Sequence, residues 1–380
     1  MNRDFKWTFL HALSRLMTHS RALPPIRFCE STPFGNSNKG EVLIILLTHL
    51  GDVILNLFVL DAIAAWVAPG RFDVMVRPPL DQVVRSHPGV RNVMPFACPW
   101  KGARHWRYGL AEWFNTVRRL RLNRYDLIIV AHPHELTSLT ARLSGSKLTA
   151  GLAFEGDFFL DLPFFIAKRY DRHASEYGLQ LLKFLGVPPV EKLREFPVPR
   201  DDYERGRGLL ENIKSHISNP RSKAVVIHPG AGGQRKIWPK ESFVAVIDEL
   251  LAQQHTVILL GGEIEKQICT DIEKVFSGLE MLRFKNLSGL LNIGELAGAI
   301  SAADIYIGND SGPSHIAGAL GVRSCVIFGQ ASDPDIWSPK GRGVKVLRFE
   351  DRKFRSPESV SSVLEVVSDL MLSEQIETSV

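Results

Sequence analysis

Short apolar runs recur along this chain, each stopped by glycine, proline or a polar pair and followed by a stretch of helical spacing. They mark strands at residues 42–47, 72–76 (interrupted by Asp73) and 126–130 (opened by Asp126) and, after a polar interval, at 224–227, 256–260 (opened by Thr256), 305–307 and 326–328. A strand with one wet face alternates apolar and polar residues, whereas a continuously apolar strand is buried on both faces. Such strands separated by helices predict parallel sheets covered on both sides. Helices are expected over about 53–67, 173–185, 240–253, 293–302 and 357–372. The last gathers Val360, Val363, Leu364, Val367, Leu370 and Met371 on one face and is expected to pack back across the first of two domains.

The predicted fold class is therefore α/β, with two Rossmann-like domains facing one another across a central cleft. Residues 1–38 read as an N-terminal extension, 39–198 as the first domain and 199–222 as a charged and polar linker. Residues 223–350 read as the second domain and 351–380 as a C-terminal helix and tail. In the extension Phe5, Phe9, Leu13, Leu16 and Met17 recur at helical spacing beside Arg3, Lys6, Arg15 and Arg21. That spacing suits a basic amphipathic helix on an anionic membrane surface, a helix docked on the protein, or a partly disordered tail.

Composition changes this picture little. With 45% apolar and 23% charged residues the chain is an ordinary globular one, and its net charge of +5 permits an anionic partner without requiring it. Cys29, Cys98, Cys269 and Cys325 are scattered, which argues against a zinc site or a disulfide framework and fits a reducing cytoplasm. No apolar run approaches the roughly 18 residues needed to span a bilayer. No secretory signal is read at the N-terminus.

The chemistry concentrates at residues 305–328, IYIGNDSGPSHIAGALGVRSCVIF. Two apolar strands flank a helix that opens at Ser311-Gly312-Pro313 and closes at Gly321, the layout of a parallel βαβ unit. A helix N-terminus at a strand's carboxyl end offers N–H donors and partial positive charge to an anion, here a nucleotide diphosphate. An ordinary capped helix has the same signature. A second cluster, Trp100, Lys101, Arg104, His105, Trp106, Arg107 and Tyr108, continues into Arg118, Arg119, Arg121 and Arg124. It reads either as a solvated helix face or as a surface for a phosphorylated or carboxylated acceptor. Nucleic acid is not expected, because no nucleic-acid motif accompanies the patch. The apolar run 158–165 is expected in the core, with a border to a lipid-bearing substrate as the alternative.

Leu50-Gly51-Asp52, His228-Pro229-Gly230, Lys236-Ile237-Trp238-Pro239, Gly261-Gly262 with Glu265, and GNDSGPSH at 308–315 resemble the motif set of glycosyltransferase family 9. That family includes the ADP-heptose:lipopolysaccharide heptosyltransferases. FGQASDPDIWSP at 328–339 resembles its downstream loop and YDLIIVAHPH its middle strand, so the likeness spans roughly 40–345 in consistent order. Any one motif is weak, but the ordered set is specific. The resemblance implies the GT-B fold, inversion at the sugar's anomeric carbon by single displacement, and no metal. It implies no cofactor beyond the nucleotide sugar, with ADP-heptose the expected donor. The acceptor would be a lipid-linked anionic oligosaccharide, the sugar core on lipid A. The enzyme would then sit in the cytoplasm, with peripheral contact at the cytoplasmic face of the inner membrane.

Asp52 matches the family's base position and Lys236 its phosphate-contacting lysine. Asp310 aligns with the acid near the donor sugar, followed by the Ser311-Gly312 turn. His315, one turn into that helix, either contacts phosphate or packs as a satisfied histidine. Gly230 belongs to the donor loop, and Glu265, with Glu263 as rival, is placed to accept hydrogen bonds from ribose hydroxyls. Many family members carry Ser-Ser or a similar small pair before Leu-Gly-Asp, where this chain has Thr48-His49. His49, Arg104 and Arg107 are the acceptor-side candidates. The rival readings are a family member using another nucleotide sugar or surface-glycan acceptor and a catalytically silent nucleotide- or glycan-binding protein. A nicotinamide oxidoreductase would carry GxGxxG after its first strand, where this chain has THLGD.

Overall fold

The computed structural model of the chain describes residues 40–98, 106–166, 170–190, 196–216, 219, 221–276 and 283–372, with backbone only at 106–108. The N-terminal extension and the tail after residue 372 lie outside the described residues.

The first sheet holds β1 (Val42–Leu46), β2 (Phe72–Val76), β3 (Val90–Pro95), β4 (Leu127–Val130), β5 (Leu148–Phe154) and β6 (Leu162–Ile166). Its order is β3-β2-β1-β4-β5-β6, and every pair is parallel. The second holds β7 (Ala224–His228), β8 (Thr256–Leu259), β9 (Phe284–Asn286), β10 (Ile305–Asn309), β11 (Ser324–Phe328) and β12 (Val344–Arg348). Its order, β12-β11-β10-β7-β8-β9, repeats that topology with all pairs parallel. In each sheet the chain reverses direction across the sheet between the first and fourth strands, β1/β4 and β7/β10. Ligands of doubly wound sheets bind beyond the carboxyl ends of the strands at such switch points.

The unbroken apolar runs are explained by where alternate residues go. Val42, Ile44 and Leu46 of β1 enter one buried cluster, while Leu43, Ile45 and Leu47 enter another on the opposite face. β7 divides likewise, with Ala224 and Val226 on one side and Val225 and Ile227 on the other. The cluster with Ile44 and Leu46 also holds Val226, Tyr306 and Ile316, so one apolar layer continues between the two domains.

Four expectations are corrected or refined. The helix expected from about 53 is two, Leu50–Leu55 and Leu57–Val67, broken at Asn56, whose Nδ2 donates to the Asp52 carbonyl at 2.7 Å. The stretch read as linker carries the helix Arg200–Ser215, packed on the helix Ile293–Ser301. A Cβ at Gly206 would collide with the Glu295 carbonyl oxygen, and one at Gly298 with that of Tyr203, so the glycines set how closely the two backbones pass. The C-terminal helix Pro357–Leu372 packs on the second domain, with Val363, Val367 and Leu370 among Val225, Ile227 and Phe243. It follows the edge strand β12 and packs on the helix Lys240–Ala252 and against β11. The run 158–165 is divided: Phe159 is buried, while Phe158 and Phe165 are 63% and 45% exposed and meet edge to face at 6.5 Å. Among the described residues no helix is long and apolar enough to cross a membrane.

Candidate active site

The second domain presents its rim as a set of buried polar side chains. Asn309, at the end of β10, accepts from the Trp238 N–H at 3.0 Å and donates to the carbonyls of Pro229 and Gly230 at 2.9 and 3.2 Å. One side chain thus ties the loop after β7, the Lys236–Pro239 segment and the strand together. The next residue, Asp310, is buried and receives the Lys236 ammonium at 2.6 Å. Lys236 itself stands on the turn Gln234–Lys236, a third exposed.

Ser311 precedes the helix Gly312–Ala319, yet no side chain caps that helix. Its Oγ lies 3.3 Å from His228 Nδ1 and 3.4 Å from Ser314 Oγ, and Ser314 donates to the Asn309 carbonyl at 2.5 Å. With its own cap residue engaged elsewhere, the helix end keeps its partial positive charge toward the cleft. Beside it, Glu265 Oε2 accepts from the Gly262 N–H at 2.9 Å. Its side chain lies so close over Gly230 and Gly261 that a Cβ at either position would collide with it. Glu263 points out instead, paired with Lys266 at 2.6 Å. Burial pushes the His228 imidazole down to about 4 despite the Glu265 charge, so the ring is neutral near pH 7.

On the first domain's rim, Asp52 is the third residue of the helix Leu50–Leu55, and His49 occupies the N-cap. The Asp52 carboxylate turns back to accept from Thr48 Oγ1 and from the His49 N–H at 3.3 Å. Thr48 is buried, so its hydroxyl is a fixed donor; the Thr at this position keeps the hydroxyl that Ser supplies in the resembled family. His49 is the N-cap residue, and Asp52, accepting from its backbone N–H, also holds the first turn of the helix.

The two rims touch. A Cβ at Gly312 would lie 2.5 Å from Leu50 Cδ2, and one at Gly51 would lie 2.7 Å from His315 Cδ2. Asp310, Asp52, His173 and Lys236 all act electrostatically on His315, yet burial outweighs the carboxylates and pushes its imidazole down to about 4. Asp52 also adds to the burial that raises the Tyr170 hydroxyl. Around this point the domains are clamped by His173 Nε2 on the Ser338 carbonyl at 2.9 Å and by the Tyr170 and Trp337 rings, edge to face at 5.1 Å.

The structure therefore brings together Asp52, Lys236, Asp310, Ser311, Gly312 and His315, with Gly230 and Glu265 alongside. On the acceptor side, His49 is exposed next to Asp52. Arg104 lies outside the described residues, and the Arg107 side chain is not described. Arg118, Arg119, Arg121 and Arg124 are exposed, with Arg121 donating to the Leu143 carbonyl at 2.8 Å. Asn309 and His173 were not singled out by sequence reasoning, and Thr48 was noted only as part of the Thr48-His49 departure and not as a partner of Asp52. Asn309 sits inside the quoted GNDSGPSH run, but its role needs loops 70 and more residues away. Among the described residues no group of three or more His, Cys, Asp or Glu is arranged to hold a metal.

Two Rossmann-like sheets whose switch points meet across one cleft, a carboxylate on one rim and a lysine with a helix N-terminus on the other, define a GT-B glycosyltransferase. Residues 113–363 match the family model of glycosyltransferase family 9 (heptosyltransferase), and the chain belongs to that family. It is similar to lipopolysaccharide heptosyltransferase 3 of Escherichia coli, 26% identical over 302 residues that cover 76% of this chain and 83% of the relative. Lipopolysaccharide heptosyltransferase 1 of Pseudomonas aeruginosa is 26% identical over 318 residues, 80% of this chain and 82% of the relative. The structure of E. coli ADP-heptose lps heptosyltransferase II superposes with a TM-score of 0.69 at 19% identity, covering 87% of this chain and 98% of the other. A family 9 glycosyltransferase from Veillonella parvula gives 0.72 at 21% identity, covering 89% and 98%. Those two structures carry the fold.

Proposed function

We propose that this glycosyltransferase moves heptose from ADP-heptose to a hydroxyl of the lipopolysaccharide core, with inversion. The observation that carries the reading is the convergence of Asp52 with the Lys236–Asp310 pair and the Ser311 turn around His315. The chain's relatives are lipopolysaccharide heptosyltransferases, which supports heptose as the transferred sugar and lipopolysaccharide as the acceptor class.

In this reading the acceptor oxygen attacks the anomeric carbon from the first-domain side, and the bond from that carbon to the diphosphate breaks. The electron pair leaves with ADP, and Lys236 and the amide end of the Gly312–Ala319 helix offset its growing charge. Asp52 takes the hydroxyl proton late in the displacement. Its hydrogen bonds from Thr48 and His49 fix where the carboxylate stands relative to the acceptor hydroxyl. Asp310, freed in part when Lys236 turns to phosphate, accepts from donor-sugar hydroxyls, while Glu265 accepts from the ribose. Two fixed positive elements thereby do the work a metal does in other transferases. His49, with Arg104 and Arg107 as the further candidates from the sequence, is assigned to the anionic acceptor, and the lipid on that acceptor brings the enzyme to the cytoplasmic face of the inner membrane.

The test is transfer by the purified chain from ADP-heptose to a truncated core, read as the mass of one added heptose. A thermal-shift screen of nucleotide sugars accompanies it, since only a ligand of the folded state raises the melting temperature. Stabilisation by ADP-heptose with transfer supports the reading. Transfer from a different nucleotide sugar would replace the donor, and ADP binding without any transfer would make the chain a binding protein.

A further inference from the structure

The imidazole of His315 stands between the domains, 5% exposed, with its Cδ2 and Nε2 edge against Gly51. A side chain at residue 51 would put its Cβ 2.7 Å from Cδ2 and 2.8 Å from Nε2, so the ring occupies the space such a side chain needs. Gly51 is outside the left-handed backbone region, so its lack of a side chain answers to this neighbour and not to a backbone conformation. Nδ1, on the ring's other edge, is buried and has no hydrogen-bond partner. One ring edge thus meets the first domain, while the nitrogen on the other edge is enclosed without a partner.

The residue after Gly51 is Asp52, whose carboxylate is bound back onto its own turn by Thr48 and His49. Those bonds tie the carboxylate to the turn, whose seat on the second domain includes Leu50 against Gly312 and Gly51 against His315. We propose that His315 is a positioning residue: by closing on Gly51 it seats the Asp52 turn against the donor cradle, so that the base is in register only when the domains are together. This rests on the reading of Asp52 as the base and departs from a phosphate-binding role for His315.

The test uses the full chain and the variants Gly51→Ala, His315→Ala and the two combined. Gly51→Ala is expected to lower turnover about ten- to a hundredfold, the scale on which a misplacement near 1 Å acts, with ADP affinity held within about threefold. His315→Ala lowers turnover at saturating donor and leaves ADP affinity unchanged. The double variant is no worse than His315→Ala, because the collision is gone, so the two losses do not add. Additive losses would overturn the proposal, as would a His315→Ala variant whose only defect is weaker ADP binding. Should His315→Ala fail to fold, His315→Ser clears the same space beside Gly51 and gives the same comparison. A pair of labels across the cleft, measured with and without ADP, reads closure without turnover. It reports on the contact even if the wild type transfers no heptose, so failure of the contact and failure of the proposed reaction are told apart.

Discussion

The two domains share one strand order and differ at their rims. The second domain's rim is a closed lattice in which Asn309, Asp310, Ser311, Ser314 and His228 are all buried and nearly all joined by side-chain hydrogen bonds. The first domain's rim holds one fixed carboxylate beside the exposed His49, and the same domain leaves Phe158 and Phe165 exposed. A nucleotide diphosphate is small, rigid in charge and the same in every turnover, so a preorganised buried network suits it. A branched, lipid-linked oligosaccharide needs an open surface. The same topology carries a prebuilt half and an accommodating half.

The sharpest way to break this contrast is Asp52→Asn, which keeps the turn's size and removes the base. Turnover is expected to fall about 10³-fold with ADP binding unchanged, measured by heptose transfer and calorimetry. Lys236→Ala acts on the other rim and is expected to cost about 10²–10³ in turnover while also weakening ADP binding. If both variants changed ADP affinity equally, the division of labour between the rims would be wrong.

Asn309→Ala should strip partners from the buried Trp238 N–H and the Pro229 carbonyl. The expected loss is about 1–3 kcal/mol of stability in denaturant titration, together with weaker donor binding. A milder effect follows from pH. His228 and His315 are held neutral, down to about 4 from an ordinary 6.5, so protons bind the unfolded chain more readily. The stability these rings contribute is complete above pH 6.5 and is lost as pH falls from there toward 4. The melting temperature should drop across that window, and less steeply in His315→Leu, whose site faces Asp310, Asp52, His173 and Lys236. Smallest of all, His49→Ala should alter the acceptor KM by about a few fold and leave ADP binding untouched, because a single exposed contact contributes little.

The central strands of both sheets are legible in the chain because burial on both faces keeps them almost wholly apolar, whereas the edge strands β3 and β12 carry exposed polar residues and show no such run. The helix around Asp52 is misplaced by three residues because His49, an uncommon cap, sets its start, and Asn56 breaks it with a side-chain bond to its own turn. The C-terminal helix shows an apolar face but not what that face will cover. Lys236 and Asp310 are both visible as candidates, yet their 2.6 Å pairing, which changes what each can do before a donor arrives, spans 74 positions.

Local information suffices for whatever is decided within one strand or one turn: the apolar runs, the two repeats of the α/β unit, the helix end at Ser311 and the motifs around it. Tertiary structure alone decides contacts between segments that no local pattern links, such as Asn309 bracing two distant loops or His315 filling the space beside Gly51. Close packing is the physical reason, since whether a residue fits depends on atoms that the chain brings there from far away.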